Sequence, residues 1–176
     1  MNKLLFATIM AVLIVISGTA IADDAGEAPY LVMEVQIVGQ DFIGLVPEGL
    51  RLDGHTSGEI TEGLLVGSTT TATDYLLYRH DGVGVVDVRC VAVHPEGATV
   101  AMTLKGYLGE PMPGMLEMML DPEFEMPEID IPMHGAAWMQ TMAPQYAFLN
   151  HTVFGFTGAM NMAEGVVRVT LRSLAP

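Results

Sequence analysis

Glycine and proline break this sequence too often for it to build long helices. The chain holds 19 Gly and 10 Pro, and they punctuate short apolar runs at the spacing of an all-β protein. The run Tyr30 to Val38 alternates, with Leu31, Met33, Val35 and Ile37 on one face and Glu34 and Gln36 on the other, which predicts a half-buried strand. Further strands are predicted over Gly58 to Gly67, Thr69 to Arg79, Val83 to His94, Ala98 to Gly106, Tyr146 to Phe156 and Gly165 to Leu174, each rich in β-branched or aromatic residues. His80-Asp81-Gly82 is an Asp-Gly hairpin signal, and Pro95-Glu96-Gly97 marks the next turn. Residues 69 to 106 therefore read as a three-stranded antiparallel meander. Seven or more strands imply a sandwich or a single antiparallel β-barrel, and closing the meander would also remove exposed edges.

The exception is Glu110 to Met142, which contains Pro111, Pro113, Pro122, Pro127 and Pro132. These prolines argue against a long helix or a central strand, so the stretch reads as an insertion, at about residues 110 to 135, with one short helical turn at Gly114 to Leu120. Eight methionines fall in it: Met112, Met115, Met118, Met119, Met126, Met133, Met139 and Met142. Pliable thioether side chains beside Leu116, Phe124 and Trp138 suit an apolar lid over a pocket. The alternative is a cuprous copper site built from Met112, Met115, Met118 and Met119 with His134.

At the N-terminus Lys3 precedes an apolar run from Leu4 to Ile16, then small residues and Ala20-Ile21-Ala22 before Asp23-Asp24. This is the pattern of a signal peptide over residues 1 to 22, followed by a flexible stretch to residue 29 and a single domain from residue 30 to 176. The expected location is periplasmic or secreted, and no later segment is apolar enough to span a membrane as a helix. The net charge of −14, with no basic cluster, excludes nucleic acid as a partner. Cys90 is the only cysteine, so no internal disulfide or thiolate zinc cluster is available. His55, His80, His94, His134 and His151 show neither helical nor strand spacing of a zinc pair, and no metal or other cofactor is expected.

Several motifs occur in order: Gly49-Leu50-Arg51, Gly58, Gly63, Gly67, Asp74-Tyr75, Arg79-x-Asp81-Gly82, Asp87-Val88-Arg89, Gly97-Ala98, Gly106 and Tyr146-Ala147-Phe148-Leu149-Asn150. Together they resemble the domain of unknown function 3237 family, from about Tyr30 to Leu174. The resemblance implies a closed or nearly closed antiparallel barrel with an internal small-molecule cavity, similar to lipocalins or allene oxide cyclases. The sequence departs from the family pattern in having Tyr75 and Phe148 where tryptophan is favoured, Thr71-Ala72-Thr73 before Asp74, and the Met-rich acidic insertion.

Asp87 and Arg89 share a face with Val83, Val85, Val91 and Val93, while Val86, Val88, Cys90 and Ala92 take the other. A strand apolar on both faces predicts that the charged pair sits in a cavity or under a covering segment. In the functional reading Arg89 and Arg79 polarise an oxygen of the ligand, while Asp74 or Asp87 moves a proton. A salt-bridge network pinning the strands is the structural alternative. Asp74 and Arg79 lie five positions apart, so only a bulge would bring them to one face. Tyr75, Met139, Trp138, Phe148 and Asn150 are the candidate ligand contacts, with an orienting hydrogen bond as the other role for Asn150. Cys90, among valines and alanine, reads as an inert packing thiol. The expected function is an exported barrel binding a small apolar organic molecule in its lumen, either as a cofactor-free isomerase, cyclase or lyase, or as a non-catalytic carrier. A homodimer is the default oligomer.

Overall fold

The computed structural model describes residues 30–111, 114–121, 123–124 and 128–174. The expected signal peptide, the expected flexible stretch to residue 29, Met112 and Met126 lie outside the described residues. Eight antiparallel strands close into one barrel in sequence order: β1 (Leu31–Val46), β2 (Gly49–Gly63), β3 (Thr69–Arg79), β4 (Gly84–Val93), β5 (Thr99–Leu108), β6 (Asp130–Thr141), β7 (Val153–Asn161) and β8 (Val166–Ser173). The final pairing of β8 with β1 shuts the barrel. Every second residue points inward, and the inward set (Met33, Val35, Leu52, Leu76, Val86, Leu104, Ala137, Phe154 and Val169 among them) forms one buried cluster. β1 is 16 residues long and shifts register with β2 at Val32/Met33, Ile37/Gly39 and Phe42/Gly44. Its pairing with β8 ends at Gln36, so its second half runs on against β2 alone.

Glycines let the strands coil tightly enough to close a small barrel. Gly106 of β5 faces Gly135 of β6. A methyl at Gly106 would overlap the His134 carbonyl oxygen and stand 2.9 Å from the Gly135 Cα, and one at Gly135 would overlap the Lys105 carbonyl and meet the Phe156 ring at 2.7 Å.

The strand predicted at Thr69 to Arg79 has those same bounds, and both predicted turns connect the strands expected. Three expectations are corrected. Residues Gly49 to Ser57 are strand, whereas Leu64 to Gly67, placed in a strand from sequence, form the β2–β3 turn. Tyr146 to His151 belong to a 3-10 helix, η1 (Pro144–His151), not to a strand. Residues Asp130 to Thr141, assigned to the insertion, are strand β6. Pro132 is tolerated because it stands where the β5–β6 ladder ends, just past Leu108↔Met133. The Gly109 N–H still donates to the Pro132 carbonyl at 2.6 Å, so the missing N–H costs at most the terminal bond of that ladder. The short helical turn is present as α1 (Met115–Met119), near β3, with Met115 buried in the barrel's cluster.

Candidate functional site

A cavity of about 60 Å³, partly open at one end, lies within the barrel. Its walls are apolar, formed by Val35, Leu76, Val86, Phe156 and the thioethers of Met33, Met133, Met160 and Met162. Asp74 is the only ionisable residue among those lining it, joined by the neutral polar side chains of Gln40 and Thr56. Register explains the grouping: Gln40 pairs with Gly54 and Gly54 with Asp74, so one row across β1, β2 and β3 carries an amide, a gap and a carboxyl. The gap is real space, since a Cβ built at Gly54 meets nothing within 4 Å. Gln40 is exposed, while Ile37 and Met162 are half-buried; these three mark the end of the cavity nearest solvent.

Asp74 Oδ1 accepts a hydrogen bond from the Asp87 backbone N–H at 3.1 Å. Burial pushes its carboxyl up to about 6, against the opposing pull of that hydrogen bond, and the negative charges of Asp87 and Asp53 push in the same direction as burial. Tyr78, four residues along the same inward face, is fully buried, and its hydroxyl donates to the Met162 sulfur at 3.8 Å. Burial, reinforced by Asp74, raises the phenol to about 12, so it stays protonated at any physiological pH.

The other nominated residues lie elsewhere. Asp87 and Arg89, expected in a cavity, face outward: Arg89 Nε is 3.1 Å from Asp87 Oδ1, Lys105 Nζ is 3.0 Å from Asp87 Oδ2, and the Arg89 side chain is 52% exposed. The parity of the strand was read correctly, but the face carrying the pair is the outer one, where Val91 and Val93 are also exposed. Arg79 is likewise outside, ion-paired with Asp81. No register shift interrupts β3, so Asp74 and Arg79 remain on opposite faces. Asp81 closes its own turn by accepting from the Val83 N–H at 3.3 Å. Tyr75 is outside under the Arg51 guanidinium, 5.3 Å from its ring centroid. Asn150 bonds both backbone groups of Thr141, accepting at 2.8 Å and donating at 3.0 Å, which ties η1 to β6. Phe148 is exposed and meets the Tyr30 ring edge-on. Met139 is buried in the core, without lining the interior cavity.

Arg89, Trp138, Met139 and Asn150 do border a common surface groove of about 440 Å³. That groove is larger than the interior cavity and more open to solvent, and its cation is already bound to Asp87 and Thr103. The interior is the better candidate for a ligand site, because apolar walls would remove much of a ligand from water and the half-buried Asp74 carboxyl would supply direction. Met115 is buried while Met118 is exposed, so these two thioethers of the copper alternative do not point the same way. Among the described residues no group of three His, Cys, Asp or Glu is placed to hold a metal ion, and no helix is long and apolar enough to cross a membrane.

Sequence reasoning missed Gln40, Gly54 and Thr56. Their only signal was position on a strand whose first half, Gly49 to Ser57, carries Arg51, Asp53 and His55 outside and so does not look apolar. Cys90 sits in the core, and burial raises its thiol to about 12. Native protein should therefore react with an aromatic disulfide reagent roughly a hundred-fold or more slower than denatured chain, as followed by absorbance; comparable rates would mean that β4 opens readily.

Fold and site together define a closed eight-stranded antiparallel β-barrel with a small interior cavity. No protein-family profile matches the chain, and no curated protein sequence matches it. Solved structures do share its fold. A conserved protein of unknown function from Rhodopseudomonas palustris superposes with a TM-score of 0.64 at 17% identity, over 82% of this chain and 94% of that one. A protein of unknown function from Clostridium acetobutylicum gives 0.64 at 14% identity, over 84% and 98%. A beta-barrel like protein from Acinetobacter baumannii gives 0.53 at 18% identity, over 82% and 92%.

Proposed function

We propose that the chain is an exported small-molecule-binding barrel, of the domain of unknown function 3237 family, whose lumen holds a compact, largely apolar organic ligand anchored on Asp74. The observation that carries this reading is the open space at Gly54 beside a half-buried carboxyl set among apolar walls. A cavity of about 60 Å³ has room for roughly four waters and is far smaller than the usual 300 to 1,000 Å³ of a drug-sized site. The ligand is therefore small, or it displaces the methionines, whose unbranched side chains re-pack at low cost.

Carriage is favoured over turnover. A carboxyl near 6 is poised for proton transfer near neutral pH. However, Arg79 and Arg89, the groups expected to stabilise developing negative charge, are outside the barrel. Gln40 and Thr56 are the other polar side chains in the lining, and neither is charged.

Filling the gap tests the assignment. A Cβ at Gly54 meets nothing within 4 Å, so Gly54→Leu should fold, as its urea midpoint checks, with the leucine occupying the cavity. Native mass spectra of protein purified from its own host should show a retained organic mass on the wild type and none on Gly54→Leu. The same adduct on both would place the ligand outside the lumen.

A further inference from the structure

Asp74 is a half-buried carboxylate walled by apolar side chains, with no counter-ion among the described residues. Five basic side chains on the barrel strands pair outside it: Arg51 with Asp53, Arg79 with Asp81, Arg89 and Lys105 with Asp87, and Arg168 with Glu34 and Glu62. His55 is also outside, between Asp41 and Thr73. No basic residue is among those lining the cavity. Buried charges are normally paired, and the cost of leaving one unpaired is large.

We propose that the missing partner is the ligand's own charge: the lumen takes a compact aliphatic ammonium ion, its N–H groups on the Asp74 carboxylate and its hydrocarbon body against Met33, Met133, Met160 and Phe156. This rests on the lumen being the ligand site, and it adds the chemical class. Gln40 and Thr56 line the same cavity and carry acceptor oxygens suited to the remaining ammonium protons. Phe156 contributes an aromatic ring to the lining, a surface that attracts cations. The net charge of −14 concentrates cations around the protein and repels carboxylates. A neutral ligand bound through its carbonyl would instead need Asp74 protonated. The two classes therefore respond oppositely to pH. Tyr78 and Cys90 face inward and stay protonated, with both raised to about 12. Asp53, Asp87 and His55 face outward in contacts with Arg51, Arg89 and Asp41, and the Asp74→Asn variant read at both pH values separates the response of Asp74 from theirs.

The test is a titration of the mature chain with n-propylammonium, n-propanol and propionate, followed by the methionine methyl resonances at pH 5 and pH 7.5. The amine stays charged throughout. At pH 7.5 n-propylammonium should bind at least about tenfold more tightly than n-propanol, with propionate not binding, and its affinity should fall several-fold at pH 5 as Asp74 takes up a proton. Asp74→Asn should erase the preference, leaving amine and alcohol alike, and Gly54→Leu should abolish binding of both. Equal or tighter binding of n-propanol at pH 7.5, or amine affinity that rises at pH 5, would overturn the ammonium assignment while leaving the lumen as the site. Binding of neither probe, or binding unaffected by Gly54→Leu, would overturn the lumen reading together with it.

Discussion

Gly106→Ala should destabilise the barrel by about 3 kcal/mol or more, at the upper end of what overpacking costs. The added methyl would overlap the His134 carbonyl oxygen and crowd the Gly135 Cα at 2.9 Å. Both obstacles are backbone, which cannot swing aside as a side chain can. Relief requires β5 and β6 to separate at the point where Gly106 and Gly135 face each other, and a closed barrel transmits that displacement around its circumference. Gly54→Ala is the matched control. It adds the same methyl to the same inward surface but meets nothing within 4 Å, and it should change stability by less than about 0.5 kcal/mol. Urea midpoints of the two variants check both statements. If Gly106→Ala proved as mild as Gly54→Ala, the close approach of β5 and β6 would be wrong.

The second large effect is pH-dependent. Asp74→Asn should be more stable than the wild type at pH 8 by as much as about 3 kcal/mol, and equal to it near pH 4. The folded carboxyl, raised from 3.8 to about 6, binds its proton more tightly than the unfolded one. Its stabilising contribution is whole below about pH 4, declines as pH rises through about 6, and is gone above that. The asparagine amide keeps an oxygen to accept the Asp87 N–H that Asp74 accepts at 3.1 Å, and it carries no charge to desolvate. In melting temperature the gain corresponds to at most about 6 to 12 °C. Comparing the two proteins at each pH cancels the titration of the other acids, and a difference independent of pH would show that Asp74 is not buried as described. A side chain that weakens the fold at neutral pH, kept where a hydrophobic residue would pack, is what a binding site held at some expense of stability looks like.

The fold was legible wherever local chemistry and barrel geometry agreed. β3 combines β-branched and aromatic residues with an Asp-Gly stop, and its bounds follow from those alone. β6 was hidden because Pro132 signals against a strand, and only its place at the end of the β5–β6 ladder shows why the strand tolerates it. η1 was hidden because Tyr146, Phe148 and Leu149 are as apolar as any strand; of these, Leu149 is the one buried. The site was half legible. Asp74 was nominated and faces the lumen, but Asp87 and Arg89 were nominated on the assumption that a strand with valines on both faces must be covered on both. Val91 and Val93 are exposed in the barrel wall, so apolar character did not distinguish inside from outside. Gly54 was illegible, because a missing side chain matters only through what the other strands leave empty around it.

A crystal structure of the protein purified from its own host should show organic density in the lumen within hydrogen-bond distance of Asp74, filling the space over Gly54 between Met33, Met133 and Phe156. A collapsed lumen with the methionines packed against Gly54, or density only in the outer groove at Arg89 and Trp138, would contradict a ligand site in the lumen.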